Sequence, residues 1–210
     1  VRARIGLVPA LVAGLLLFFP RIENASLSGM EAALFLLIFA ALIIEALRSG
    51  ALSNPEPRAS DARTGALVGL LMLARLDSVF VGLTLAAWVG VQGLSGGEGT
   101  PAERLLRTAR KGLVVFWPAV LLLVPYLVWN RLEFGHFVPI SGSLKTSFPV
   151  PGFNPGHLNA EHVALLALAL AGIGVETRRG ASGDPLVKLL AVLSLGLVLH
   201  ALHAVIFMRW

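Results

Sequence analysis

Ionisable side chains are scarce in this chain, which makes their positions informative. Only 14% of the 210 residues are charged, yet Glu31, Arg75, Asp77, His136 and Lys145 stand beside long apolar runs. A carboxylate can serve as general base. A cation takes up negative charge that develops on a leaving group as a bond breaks. Glu31 and Asp77 are therefore the candidate catalytic groups, since ionisable residues at membrane depth are costly and are functional candidates by default. Arg75, His136, Ser141, Ser143 and Lys145 are the candidate substrate-binding groups. Ser141-Gly142-Ser143 offers hydroxyls and flexible backbone beside the Lys145 ammonium, a combination suited to an anion. His136 can donate to phosphate or shuttle a proton. Each has a plainer reading. Arg75 and Asp77 can pair to steady a turn, and Glu31 in a first helical turn is favoured by the helix dipole. A lone lysine in a Gly/Ser loop is often solvated, and His136 can anchor its loop in the headgroup zone. His200 and His203 share a helix face at i, i+3, which suits interhelical hydrogen bonding better than a metal site lacking a third ligand. No metal-ligating set is assigned. Asn24-Ala25-Ser26 matches the glycosylation acceptor pattern, a short pattern common by chance.

These residues must be positioned by helices in a bilayer. The chain is 56% hydrophobic with mean hydropathy +0.81, well beyond the soluble norm of roughly 45–50% apolar. The net charge of +5 is dispersed over short loops between apolar runs, a pattern of membrane topology and not of a nucleic-acid interface. There are no cysteines, which excludes disulfides, thiolate metal sites and a cysteine nucleophile. The chain begins at Val1 and stops at Trp210 where a helix would be leaving the membrane, so it reads as a piece of a longer protein.

Apolar runs fall at about 5–19, 30–47, 65–74, 79–94, 112–129, 161–175 and 187–208. Against the about 20 residues that a full span needs, those at 30, 112 and 187 qualify outright. The expected fold is all-α, a single polytopic bundle over 1–210 with about six or seven membrane segments. Two short segments at 65–94 form a hairpin that turns at Arg75-Leu76-Asp77-Ser78. That hairpin places twelve of the seventeen Lys and Arg residues on one side, whereas one continuous helix would erase the bias. The positive-inside rule therefore selects the hairpin. It puts the Arg75 corner and the 129–160 loop together on the extracytoplasmic side. Thr100-Pro101-Ala102-Glu103 has capping-box spacing with proline at the first helical position, which predicts a helix start. Arg104, Arg107 and Arg110 or Lys111 over Leu105 and Leu106 would suit a helix lying on anionic headgroups, although an ordinary positive-inside loop with no specific ligand is the favoured reading.

Ser28-Gly29-Met30-Glu31 before an apolar helix, the Arg-x-Asp corner, and Asn130 followed by Phe134-Gly135-His136, Pro139, Ser141 and Lys145 resemble the polytopic GT-C glycosyltransferases. The likeness is to bacterial relatives of the dolichyl-phosphate mannosyl-, arabinofuranosyl- and aminoarabinose transferases, over about residues 20–150. The resemblance implies transfer of a sugar from a polyprenyl-phosphate carrier to a hydroxyl of a lipid, glycan or protein outside the plasma membrane. Its partners would be that donor, a lipid or glycan acceptor and membrane lipids, without nucleic acid. No cofactor is required by it, and a divalent metal is compatible with it. Two features depart from the family pattern. Leu76 and Ser78 replace the usual Pro and Gly at the corner. The family's catalytic carboxylate would lie upstream of the residues present, so this piece alone is expected to be inactive. A transporter or flippase of lipid-linked sugars, which calls for internal repeats, and a non-catalytic scaffold are the competing readings.

Overall fold

A computed structural model describes residues 30–54, 56–95, 99–137, 147–157, 160, 163–164, 166–167, 170–171 and 184–208. The elements are all helical: α1 (Met30–Ser49), α2 (Ala59–Ala74), a 3-10 turn (Leu76–Ser78), α3 (Val79–Ser95), α4 (Pro101–Phe134), a second 3-10 turn (Pro155–His157) and α5 (Pro185–Phe207). Three helical stretches among the described residues are long and apolar enough to cross a membrane: Leu76–Leu94, Pro101–Phe134 and Pro185–Phe207. The stretch after the corner, read from sequence as short, is thus span-length once its 3-10 turn is counted.

Local sequence explains where the helices start and stop. Gly50 takes φ 66 after α1, the left-handed conformation that ends helices at low cost. Its carbonyl accepts from Ser53 and Asn54 N–H at 2.9 and 3.0 Å. Asp61 reaches back to the Arg58 N–H at 2.8 Å, covering an orphan donor at the start of α2. The predicted capping box is present at α4, where Thr100 N–H meets Glu103 Oε2 at 2.7 Å and Glu103 N–H meets Thr100 Oγ1 at 3.3 Å. The expected surface helix differs, however. Residues 101–111 run on without a break into the apolar run, forming one 34-residue helix. Pro118 and Pro125 lie inside it, and Gly135 closes it at φ 75.

The five helices are arranged as a ring in the order α1, α2, α4, α3, α5, with α5 returning to α1. The closest contact is between α2 and α4, which run parallel. A Cβ on Gly65 would lie 1.5 Å from the Val115 carbonyl oxygen, and one on Gly69 would lie 2.8 Å from the Ala119 Cα. Gly65 and Gly69 form the GxxxG spacing that lets membrane helices approach backbone to backbone. Aliphatic side chains fill the centre: Leu42 and Ala46 from α1, Leu52 from the α1–α2 turn, Val68 and Leu71 from α2, Leu85 from α3, Val115 from α4, and Leu189 and Val192 from α5.

Candidate functional site

The expected corner is present, and α2 breaks at Arg75, whose backbone is extended at φ −150. Ser78 N–H then bonds the Arg75 carbonyl at 3.0 Å, tightening the chain into the 3-10 turn. Arg75 holds Asp77 with two parallel bonds, Nε to Oδ1 at 3.2 Å and Nη2 to Oδ2 at 2.9 Å. Its guanidinium also lies 5.9 Å from the centre of the Phe35 ring on α1, a cation–π distance. The structural pairing foreseen for these two residues therefore exists. It engages both oxygens of Asp77, so any use of that carboxylate as a base requires the pair to open. The side chains are 53% and 36% exposed, so the corner is accessible.

Helix α4 measures the depth of this corner. Between Lys111 and Asn130, the eighteen residues Gly112 to Trp129 carry no charged or amide side chain. At 1.5 Å per residue they span about 27 Å, close to the roughly 30 Å of a hydrocarbon core. Gly69 faces Ala119 and Leu122, so Arg75, six residues on, is level with the neighbourhood of Tyr126. It lies about 7 Å inside the boundary at Asn130-Arg131 by helical rise. By this measure the ion pair lies below the level of Asn130-Arg131 along the bundle.

The other expected site residues are distributed as follows. Glu31 is in the first turn of α1, at the same end of the bundle, and its side chain lies outside the described residues. His136 follows the Gly135 cap and is exposed. The end of α4 stands about 12 Å past the corner by the same helical rise, with His136 just beyond it. Ser141, Ser143 and Lys145 lie outside the described residues, but the flanks of their segment are both at the Arg75 end. On one side, Arg131 donates to the Gly135 carbonyl and its guanidinium lies 5.7 Å from the Phe137 ring. On the other, Ser147 N–H and Gly152 N–H each bond α5 carbonyls at 2.7 Å, those of Phe207 and Ile206, and Asn154 N–H bonds the Val205 carbonyl at 2.6 Å. The described part of the polar loop therefore caps orphan carbonyls at the end of α5.

Hydrogen bonding between helices is the expectation for His200 and His203; the contacts they show with α3 are between rings. They lie 5.6 and 5.3 Å from the Phe80 ring, two residues past Ser78. No group of three metal-binding side chains occurs among the described residues.

Sequence reasoning missed a polar cluster at the opposite end. Lys111 is only 2% exposed, and its ammonium donates to the Ala51 carbonyl at 2.9 Å and to that of Asn54. Trp88 Nε1 donates to the Leu52 carbonyl at 3.1 Å, as does Gln92 Nε2. Asp61 is fully buried nearby, and its charge acts on the ammonium. The α1–α2 turn is thereby tied to α3 and α4 together. Near the corner, Asn130 and Ser78 are also buried with unpartnered polar atoms. Asn130, named in the sequence only as part of a longer motif, is also the first amide after eighteen apolar residues.

Compared with family models, curated proteins and solved structures, the chain finds no match in any of the three. What the site can do follows from its own atoms.

Proposed function

We propose that this chain is part of a multi-pass membrane glycosyltransferase that moves a sugar from a polyprenyl-phosphate carrier to an extracytoplasmic hydroxyl. Its bundle would have six or seven segments and sit in a bacterial plasma membrane, with the Arg75 end outward. In the reaction, the bond between the anomeric carbon and the phosphate oxygen breaks, and its electron pair stays on the phosphate. The acceptor oxygen bonds the anomeric carbon, and its proton passes to a carboxylate. Charge on the phosphate grows along this path, so a fixed cation favours the transition state over the ground state. Arg75 and Lys145 are assigned that task, with Glu31, Asp77 or a carboxylate of the longer protein as base. His136, Ser141 and Ser143 are assigned to substrate binding.

One observation supports this reading above the others. A guanidinium oriented by Asp77 is held where α2 breaks, at the end of the bundle where both flanks of the Lys145 segment lie. A carrier whose phosphate is attached to a long hydrocarbon would lay its tail between helices and present the phosphate at such a break.

The test is transfer of radiolabelled sugar from a polyprenyl-phosphate donor by the full-length protein. Arg75→Ala and Lys145→Ala should each lower turnover by about 10² or more, the scale of losing one charge-stabilising donor. Near-normal transfer by both variants would refute the assignment.

A further inference from the structure

The segment that follows the Lys145 region has the chemistry of a loop in lipid. From Ser147 to Ala160 the chain carries no Asp, Glu, Lys or Arg. Phe148, Val150 and Phe153 are 65%, 67% and 70% exposed. Single exposed apolar side chains are ordinary, but three large ones within six positions form a patch of the kind that marks contact with a membrane or a partner.

The backbone beneath the patch favours the membrane. Helix α5 has no charged side chain over the twenty residues Leu189 to Met208, the length of a full span, and its last carbonyls lack helical partners. The segment supplies them. Ser147 N–H bonds the Phe207 carbonyl, Gly152 and Phe153 N–H that of Ile206, and Asn154 N–H that of Val205. The Ser147 hydroxyl donates to the Phe207 carbonyl as well, at 3.0 Å. Val150 N–H turns back to the Ser147 carbonyl at 2.8 Å, and Gly156 N–H to Asn154 Oδ1 at 3.2 Å. Pro149, Pro151 and Pro155 have no N–H to satisfy. In water a loop can leave such groups to solvent. In hydrocarbon it cannot, because lipid offers them no partner.

Two further observations agree. The Phe148 ring stands edge-on to Phe207 at 5.3 Å, so the patch is continuous with the last turn of a helix long and apolar enough to cross a membrane. Phe153 sits at φ 46, where a bulky residue is an outlier. Water favours neither that backbone nor an exposed ring, whereas apolar surroundings favour the ring.

We propose that residues 147–154 form an interfacial wedge, with Phe148, Val150 and Phe153 seated in the lipid leaflet at the Arg75 end of the bundle, where headgroups meet acyl chains. The second half of the loop that reads as polar in sequence is thus a lipid-facing strap fastened to α5. The wedge is independent of the transfer reading, and its test measures no turnover.

The experiment uses the full-length protein with one cysteine, Val150→Cys, Phe153→Cys or, for comparison, Glu133→Cys in the exposed last turn of α4. Each is labelled with the fluorophore NBD in phosphatidylcholine nanodiscs. At Val150→Cys and Phe153→Cys emission should be blue-shifted, and aqueous iodide should quench it about threefold less than at Glu133→Cys, as for groups seated below the headgroups. Nitroxide lipids should quench both positions, more strongly with the nitroxide high on the acyl chain than near its end. Iodide quenching equal to that at Glu133→Cys, with none from the nitroxide lipids, overturns the wedge. Protection from iodide and nitroxide lipids alike means that another segment or a second copy covers the strap, and it overturns the lipid assignment.

Discussion

Lys111 and Arg75 are cations on packed helices that meet opposite surroundings. Arg75 is half exposed and its guanidinium is held by Asp77, whereas the Lys111 ammonium is buried on the backbone of the α1–α2 turn. The pairing of Arg75 with Asp77 could be foreseen because the partner is two residues away, and local spacing is visible in a linear chain. Lys111 read as one more cation of an ordinary basic loop, with a helix on the headgroups as the alternative, because the carbonyls that bind it are 57 and 60 residues distant. That contact depends on how α2 is registered against α4, which no local pattern discloses. Lys111→Met keeps the length of the side chain and removes the charge. It should leave the Ala51 and Asn54 carbonyls unpaired and lower stability by about 2–3 kcal/mol, the scale of hydrogen bonds to a charged group. Denaturant unfolding in micelles reads this directly. A loss under 0.5 kcal/mol would show that water replaces the ammonium at little cost.

At the scale of elements, helix ends were legible and helix faces were not. The Thr100–Glu103 box and the corner at Arg75 are punctuation, written in a few adjacent residues. Which side of α2 meets α4 was also encoded, in Gly65-Ala66-Leu67-Val68-Gly69, but both glycines read as part of an apolar run until a partner helix was in view. Two alanine substitutions separate packing from propensity. At Gly65 the added Cβ would fall 1.5 Å from the Val115 carbonyl oxygen, while at Gly90 nothing lies within 4 Å. Gly65→Ala must force two backbones apart and should destabilise the bundle by about 3 kcal/mol or more, beyond the usual range of overpacking. Gly90→Ala should stabilise by up to about 1 kcal/mol, through the lower helix propensity of glycine. Comparable effects at the two sites would contradict the α2–α4 contact.

At the scale of the whole molecule, charge divides along the bundle. Arg48, Arg58, Arg63, Arg104, Arg107, Arg110, Lys111 and Lys188 gather around the α1–α2 turn and the starts of α4 and α5, while Arg75 and Arg131 are the described cations at the other end. Short loops rich in Lys and Arg stay in the cytoplasm, so the turn at Leu52 should face inward and the corner outward. Helix α4 offers a self-contained test, because its first and last turns extend past its apolar stretch and both are exposed. The chain has no cysteine, so a single one can be introduced at Ala102 or at Glu133, about 46 Å apart along one helix. A membrane-impermeant maleimide added to intact cells should label Glu133→Cys at once, and Ala102→Cys only after permeabilisation. Labelling of both from outside would mean that α4 does not cross the membrane. Reversed labelling would turn the Arg75 corner to the cytoplasm, out of reach of an acceptor in the envelope, and the proposed transfer would have to be abandoned even with the fold intact.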